Sequence, residues 1–133
     1  AVAHHLVHCR KRYEGCEWDS FVTAADAVAQ VVVTSVCKHR GHDLGMDERK
    51  LEKLRSQYHS LSKLVANREG FETFGRNAQE LHRLRQISRD AHIMDEDGTP
   101  KPGINDQLTA DEALELLKRV FRHGVDLVLA RDT

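Results

Sequence analysis

What this chain of 133 residues lacks narrows its reading first. Its three cysteines, Cys9, Cys16 and Cys37, show none of the paired spacing that staples small secreted domains, so a disulfide scaffold is excluded and a reducing cytoplasm is the expected home. Neither charge sign dominates: 20 Lys and Arg stand against 21 Asp and Glu. The global field therefore pulls the molecule toward neither nucleic acid nor anionic membrane, and any anion site must be local. The longest apolar runs, such as VAQVVVTSV, fall short of the roughly 20 residues a bilayer span needs. The start carries no charged n-region followed by a continuous apolar stretch, so neither insertion nor export is expected. A glycine-rich phosphate loop is missing, which argues against nucleotide hydrolysis of the P-loop kind. There is also no convincing strand pair and no internal repeat.

What is present reads as a single helical domain over residues 1–133. The apolar share of 40% and charged share of 31% suit one well-solvated globule with its own core. Val2 to Tyr13 forms a weakly amphipathic helix ending near Gly15. After CEWD, Asp19 or Ser20 caps a second helix in which Phe21, Ala24, Ala25, Val28, Val32 and Val36 recur at helical intervals until Gly41. Asp47 caps a long third helix carrying Leu51, Leu54, Tyr58, Leu61 and Val65, broken near Gly70, with Phe71 and Phe74 packing in the break. A fourth runs from about Arg76 to Met94. DEDGTPKPGINDQ, which holds both prolines, reads as an exposed loop. Thr109 and Glu112 have capping-box spacing ahead of Ala113, Leu116, Leu117, Val120, Phe121, Gly124, Leu127 and Val128. The expected architecture is an all-α, up-and-down bundle of four to five helices, packed mostly antiparallel.

The fourth helix carries the chemistry. In LHRLRQISRDAHIMD, His82, Arg85, Arg89 and His92 recur at intervals of three, four and three, which at about 100° per residue puts all four on one side. Leu84, Ile87, Ala91 and Met94 are expected on the opposite, buried side. Arginine binds phosphate oxygens through its planar fork, and histidine gives or takes a proton near neutrality. Together, without a metal, they suit cleavage of an RNA phosphodiester by the neighbouring 2′-hydroxyl. A stripe of this kind is a solvated face by default. This one ends beside the Gly- and Pro-containing loop, where a substrate can approach.

The succession of an amphipathic first helix, an Ala/Val-rich second ending KHRGHDL, a third region ending LRQISRDAHI, a polar loop and a last helix opening LTADEALELL resembles HEPN domains. Their signature is an Arg followed after four to six residues by His, often with Asn, Asp or His directly behind the Arg. It fits here in two ways. Arg85 and His92 have six residues between them, with Gln86 behind the Arg; Arg76 and His82 have five, with Asn77 in the preferred place. We take Arg85, Arg89 and His92 as the catalytic set and Arg76, Asn77 and His82 as substrate-binding. The resemblance implies a metal-independent endoribonuclease without cofactor, RNA as substrate, and a homodimer whose two motifs meet in a cleft. It also implies roles in toxin–antitoxin pairs or phage defence. The alternative is a non-catalytic HEPN-like module partnered by an antitoxin or a nucleotidyltransferase-like protein.

Other residues rank lower. His4, His5, His8 and Cys9 include an i, i+4 histidine pair but no matching second pair of ligands, so no native metal is expected. Cys37 reads as a small buried hydrophobe, and His39, His59 and His123 as surface or packing residues. Trp18 reads as an anchor at a helix junction.

Overall fold

The computed structural model describes residues 2–41, 44–90 and 107–130; the side chains of residues 2, 88–90 and 130 lie outside that description. Among the described residues there are six α-helices and no strand: α1 (Val2–Glu14), α2 (Trp18–His39), α3 (Glu48–Arg55), α4 (Tyr58–Ala66), α5 (Glu72–Asp90) and α6 (Gln107–Ala130). They form a helical bundle centred on α2, which packs against α1, α5 and α6, while α5 also packs against α4 and α6.

The apolar periodicity of α2 places its core side. Phe21, Ala24, Ala25, Val28, Val32 and Val36 are all buried, together with Val22, Ala29, Val33 and Cys37. By length and composition this helix would also suffice to cross a membrane, with a mean hydropathy of 1.5 over its most apolar stretch, of which 56% is buried inside the bundle. It starts two to three residues earlier than expected: Glu17 is the N-cap and makes no side-chain cap bond, so neither Asp19 nor Ser20 caps it. Between α1 and α2 the left-handed turn residue is Cys16, at φ 57°, and not Gly15. The junction is filled by Tyr13, whose ring meets Trp18 and Phe21 edge-on at 5.3 and 5.1 Å. Its hydroxyl donates to Asp111 of α6 at 2.6 Å, so Trp18 anchors the junction as expected.

The long third helix is two. Asp47 does cap α3, accepting from the Lys50 N–H at 2.8 Å, but Gln57 (φ −120°, ψ 60°) leaves helical geometry and α4 restarts at Tyr58. At the break the Ser56 hydroxyl donates to the Lys53 carbonyl, a local bond that competes with the helical ladder. Leu51 and Tyr58, on either side of the break, are both buried in the core.

Gly70, at φ 83°, makes the turn into α5. That helix begins at Glu72, four residues before the expected Arg76, because Phe71 and Phe74 are core residues at its entrance and not part of a gap. Within it, Gly75 lies against α4: a Cβ there would be 2.5 Å from the Ala66 nitrogen. The absence of a side chain is what lets the two backbones meet. At the other end, α6 is helical from Gln107, so Thr109 stands inside its first turn and not at the expected N-cap position. Ala91, His92, Met94 and residues 95–106 of the Gly/Pro loop lie outside the described residues.

Candidate functional site

One charge interrupts the apolar stretch of α2. Asp26 is the only charged residue between Asp19 and Lys38, and it is fully buried. A carboxylate out of water needs partners, and α2 supplies one itself: Gln30, one turn on, donates from Nε2 to Asp26 Oδ2 at 2.9 Å. The others come from α5. His82 Nδ1 lies 3.1 Å from the same oxygen, and Arg85 Nε forms an ion pair with it at 3.7 Å.

This geometry corrects the sequence-based placement of the stripe. His82 and Arg85 do not stand behind the core on the solvent side; their side chains are only 14% and 29% exposed. The apolar seam of α5 runs through Phe74, Ala78 and Leu81, all buried, and Arg85 follows Leu81 by one helical turn. Arg85 therefore continues the seam toward α2, with His82 at its edge. Leu84 is buried and Ile87 half-buried, so the expected core side is present but narrower than the pattern suggested. Charged side chains entered the α2-facing arc because a carboxylate waits there.

His82 is held on several sides. The Gln86 amide nitrogen lies 3.2 Å from its Nε2, an arrangement that matches the tautomer with its proton on Nδ1, directed at Asp26. Tyr58 of α4 meets the ring edge-on, with centroids 5.0 Å apart. Burial, and behind it the charge of Asp26 and the Cys37 thiol, push the ionisation of the Tyr58 hydroxyl well above its ordinary range, so this wall stays neutral. The second oxygen of Asp26, Oδ1, and the Tyr58 hydroxyl are both buried without a hydrogen-bond partner among the described residues.

The open side of His82 faces a groove of about 1240 Å³. His59 and Lys63 of α4 line it on one side and Glu112, Glu115 and Arg119 of α6 on the other. From α5 come Arg76, Asn77 and His82, the three residues expected to bind substrate. The Asn77 amide nitrogen is buried there without a partner among the described residues. Arg83 is paired with Glu80 on the same helix, which holds the Glu80 carboxyl below its usual range. The α4 side of the groove is thus cationic and the α6 side mixed. The ring centroids of His59 and His82 are 6.5 Å apart and tilted by 32°.

Of the expected catalytic set, Arg85 is tied to Asp26 and is not among the groove residues, while the Arg89 side chain and His92 lie outside the described residues. Sequence reasoning missed Asp26; it read His59 as a surface or packing residue, and His59 is exposed, but its place on the groove was not foreseen. A lone acid on the apolar seam of α2 was the available signal for Asp26; nothing in the local pattern marks His59. At the N-terminus, Cys9 is buried, with burial pushing its thiol up to about 11, whereas His4 and His8 are exposed. Among the described residues no three His, Cys, Asp or Glu side chains are placed to share a metal ion. Cys37 is buried in the core and its thiol is pushed up to about 12 by desolvation, which leaves almost no thiolate for nucleophilic work.

No family model, curated protein or solved structure matches this chain.

Proposed function

We propose that this protein is a metal-independent endoribonuclease of the HEPN type, cutting single-stranded RNA in the groove between α4, α5 and α6, with the Arg76, Asn77 and His82 frame at its centre. One observation carries the reading: all three of those residues line a single groove, and the imidazole among them is oriented by a buried carboxylate. An Asp-held histidine presents one nitrogen in a fixed direction and is stabilised when it takes up a proton. Arg76 supplies a planar cation for a phosphate, and unpaired bases are preferred because only those can splay into a groove of this kind. Arg85 serves in this reading as a second cation on Asp26. The Arg85, Arg89 and His92 frame stands as the competing assignment of the same activity. Function as a homodimer in the cytoplasm belongs to the proposal.

The test is cleavage of a single-stranded RNA by purified protein with chelator present. Removal of His82 abolishes cutting, while His92→Ala retains it. The reverse pattern reassigns the site to the second frame, and intact RNA under all buffers removes the enzyme reading altogether.

A second reading has its own observation. Val125 and Leu129 of α6 are 52% and 61% exposed beside a small apolar groove that also includes Val32, Val36 and Val128, which suits a helical interaction module bound to an antitoxin or nucleotidyltransferase-like protein. Under that reading, charged substitutions at Val125 and Leu129 release such a partner, and substitutions at His82 leave it bound.

A further inference from the structure

Cleavage of RNA by its own 2′-hydroxyl moves two protons: one leaves the attacking oxygen and another reaches the departing 5′-oxygen. A histidine that accepts the first does not by itself supply the second. The groove contains a second imidazole within reach. We propose that His82 and His59 act as a base and acid pair on one RNA phosphodiester, with Asp26 as the positioning residue of the base; this rests on the ribonuclease reading and deepens it.

The placement of His82 suits the base. Its Nδ1 is committed to Asp26 at 3.1 Å, so Nε2 alone remains for chemistry, and in this tautomer that nitrogen accepts from Gln86. A substrate hydroxyl takes the place of the Gln86 N–H. Asp26 then faces the imidazolium as it forms, and its burial from water keeps that interaction strong. The Tyr58 ring, neutral and buried, fixes the plane of the imidazole.

The placement of His59 suits the acid. It is exposed at the start of α4, so it exchanges protons with solvent, and it lines the same groove as His82 with ring centroids 6.5 Å apart. At that separation both imidazoles border the same part of the groove, where one phosphodiester can meet them. Lys63, one turn beyond His59 on α4, and Arg76 of α5 line the groove with them and offer positive charge to the non-bridging oxygens.

The step balances within the substrate and the two rings. Neutral His82 takes the 2′-hydroxyl proton on Nε2 as the 2′-oxygen bonds to phosphorus; the bond from phosphorus to the 5′-oxygen breaks, and protonated His59 gives its proton to that oxygen. The products are a 2′,3′-cyclic phosphate and a free 5′-hydroxyl. Solvent returns His82 to its neutral form and His59 to its protonated form.

The experiment compares wild type, His82→Gln, His59→Ala and Asp26→Asn on a short single-stranded RNA and on the same RNA with sulfur in place of the scissile 5′-oxygen. Losses of roughly 10²- to 10⁴-fold in kcat are expected for His82→Gln and His59→Ala on the normal substrate. A thiolate leaves without a proton, so His59→Ala cuts the sulfur substrate at nearly the wild-type rate while His82→Gln stays slow. Asp26→Asn lowers kcat with KM unchanged, and the low-field proton resonance of the His82 Nδ1–H disappears. Circular dichroism checks that each variant folds, and exposed His59 tests the pair even if a variant of buried Asp26 does not. Wild-type cutting with full activity of His59→Ala, or a His59→Ala defect that sulfur does not rescue, overturns the pair while the ribonuclease reading stands. Uncut RNA with wild type ends both.

Discussion

The two halves of α5 present one continuous face to α2 and fill it with opposite chemistry. From Phe74 through Ala78 to Leu81 the face is apolar and fully buried, and Gly75 brings the helix backbone against Ala66 of α4. One turn later the same face carries Arg85, with His82 at its edge, and both reach the Asp26 carboxylate. The first half stabilises by excluding water, an effect that needs no particular geometry. The second half loses hydration for three ionisable groups and recovers it only through directed contacts, so its net contribution to stability is small while its contribution to geometry is large. A single face of one helix thus carries apolar packing and a buried polar cluster, the change occurring within one turn.

The largest expected effect breaks the apolar half. Phe74→Ala is expected to cost about 3–5 kcal/mol in urea unfolding, since a fully buried ring leaves a cavity behind. Asp26→Ala comes next, at roughly 3 kcal/mol, because His82, Gln30 and Arg85 lose their shared acceptor. Joint replacement of Asp26 and His82 by apolar residues of similar volume is expected to recover most of that loss while removing the proposed cleavage. Recovery of activity along with stability would show that the polar half has no role in the site. Gly75→Ala should cost about 1–3 kcal/mol, as the added methyl forces α4 and α5 apart; an unchanged unfolding midpoint would mean that the helices do not approach as closely as described.

The smallest effect is a pH dependence that separates the two chemistries on α2 itself. Cys37 is uncharged in the core, with its thiol moved from 9.0 to about 12 by burial. A raised folded value means that the unfolded chain ionises first as pH rises. The contribution of Cys37 is therefore complete below about pH 9 and declines between pH 9 and 12. Unfolding of Cys37→Ala across that window is expected to be less alkali-sensitive than wild type, on top of a pH-independent loss from the cavity the thiol leaves. Tyr58, also raised, leaves a residual alkaline decline in the variant.

Helix existence was legible because periodicity is a local property of the chain. The α2 core positions and the Asp47 cap emerged as expected. Two boundaries moved: α5 starts early because Phe71 and Phe74 find a core to enter, and the long third helix breaks at Gln57, whose backbone leaves helical geometry. The site was legible only in part. Arg76, Asn77 and His82 were named from a spacing, but the spacing also placed His82 and Arg85 on the wrong side, since a helical wheel ranks residues by hydropathy and assigns a cation to solvent.

By itself, then, the order of residues determined that this chain makes helices, where most of them lie, and which apolar stripes they bury, because each of those depends on neighbours three or four positions away. Only the tertiary structure decided that Asp26 meets His82 across 56 positions and that His59 and His82 share one groove. Such pairings depend on which faces the packed helices turn to each other, and that is settled by the burial of the whole core.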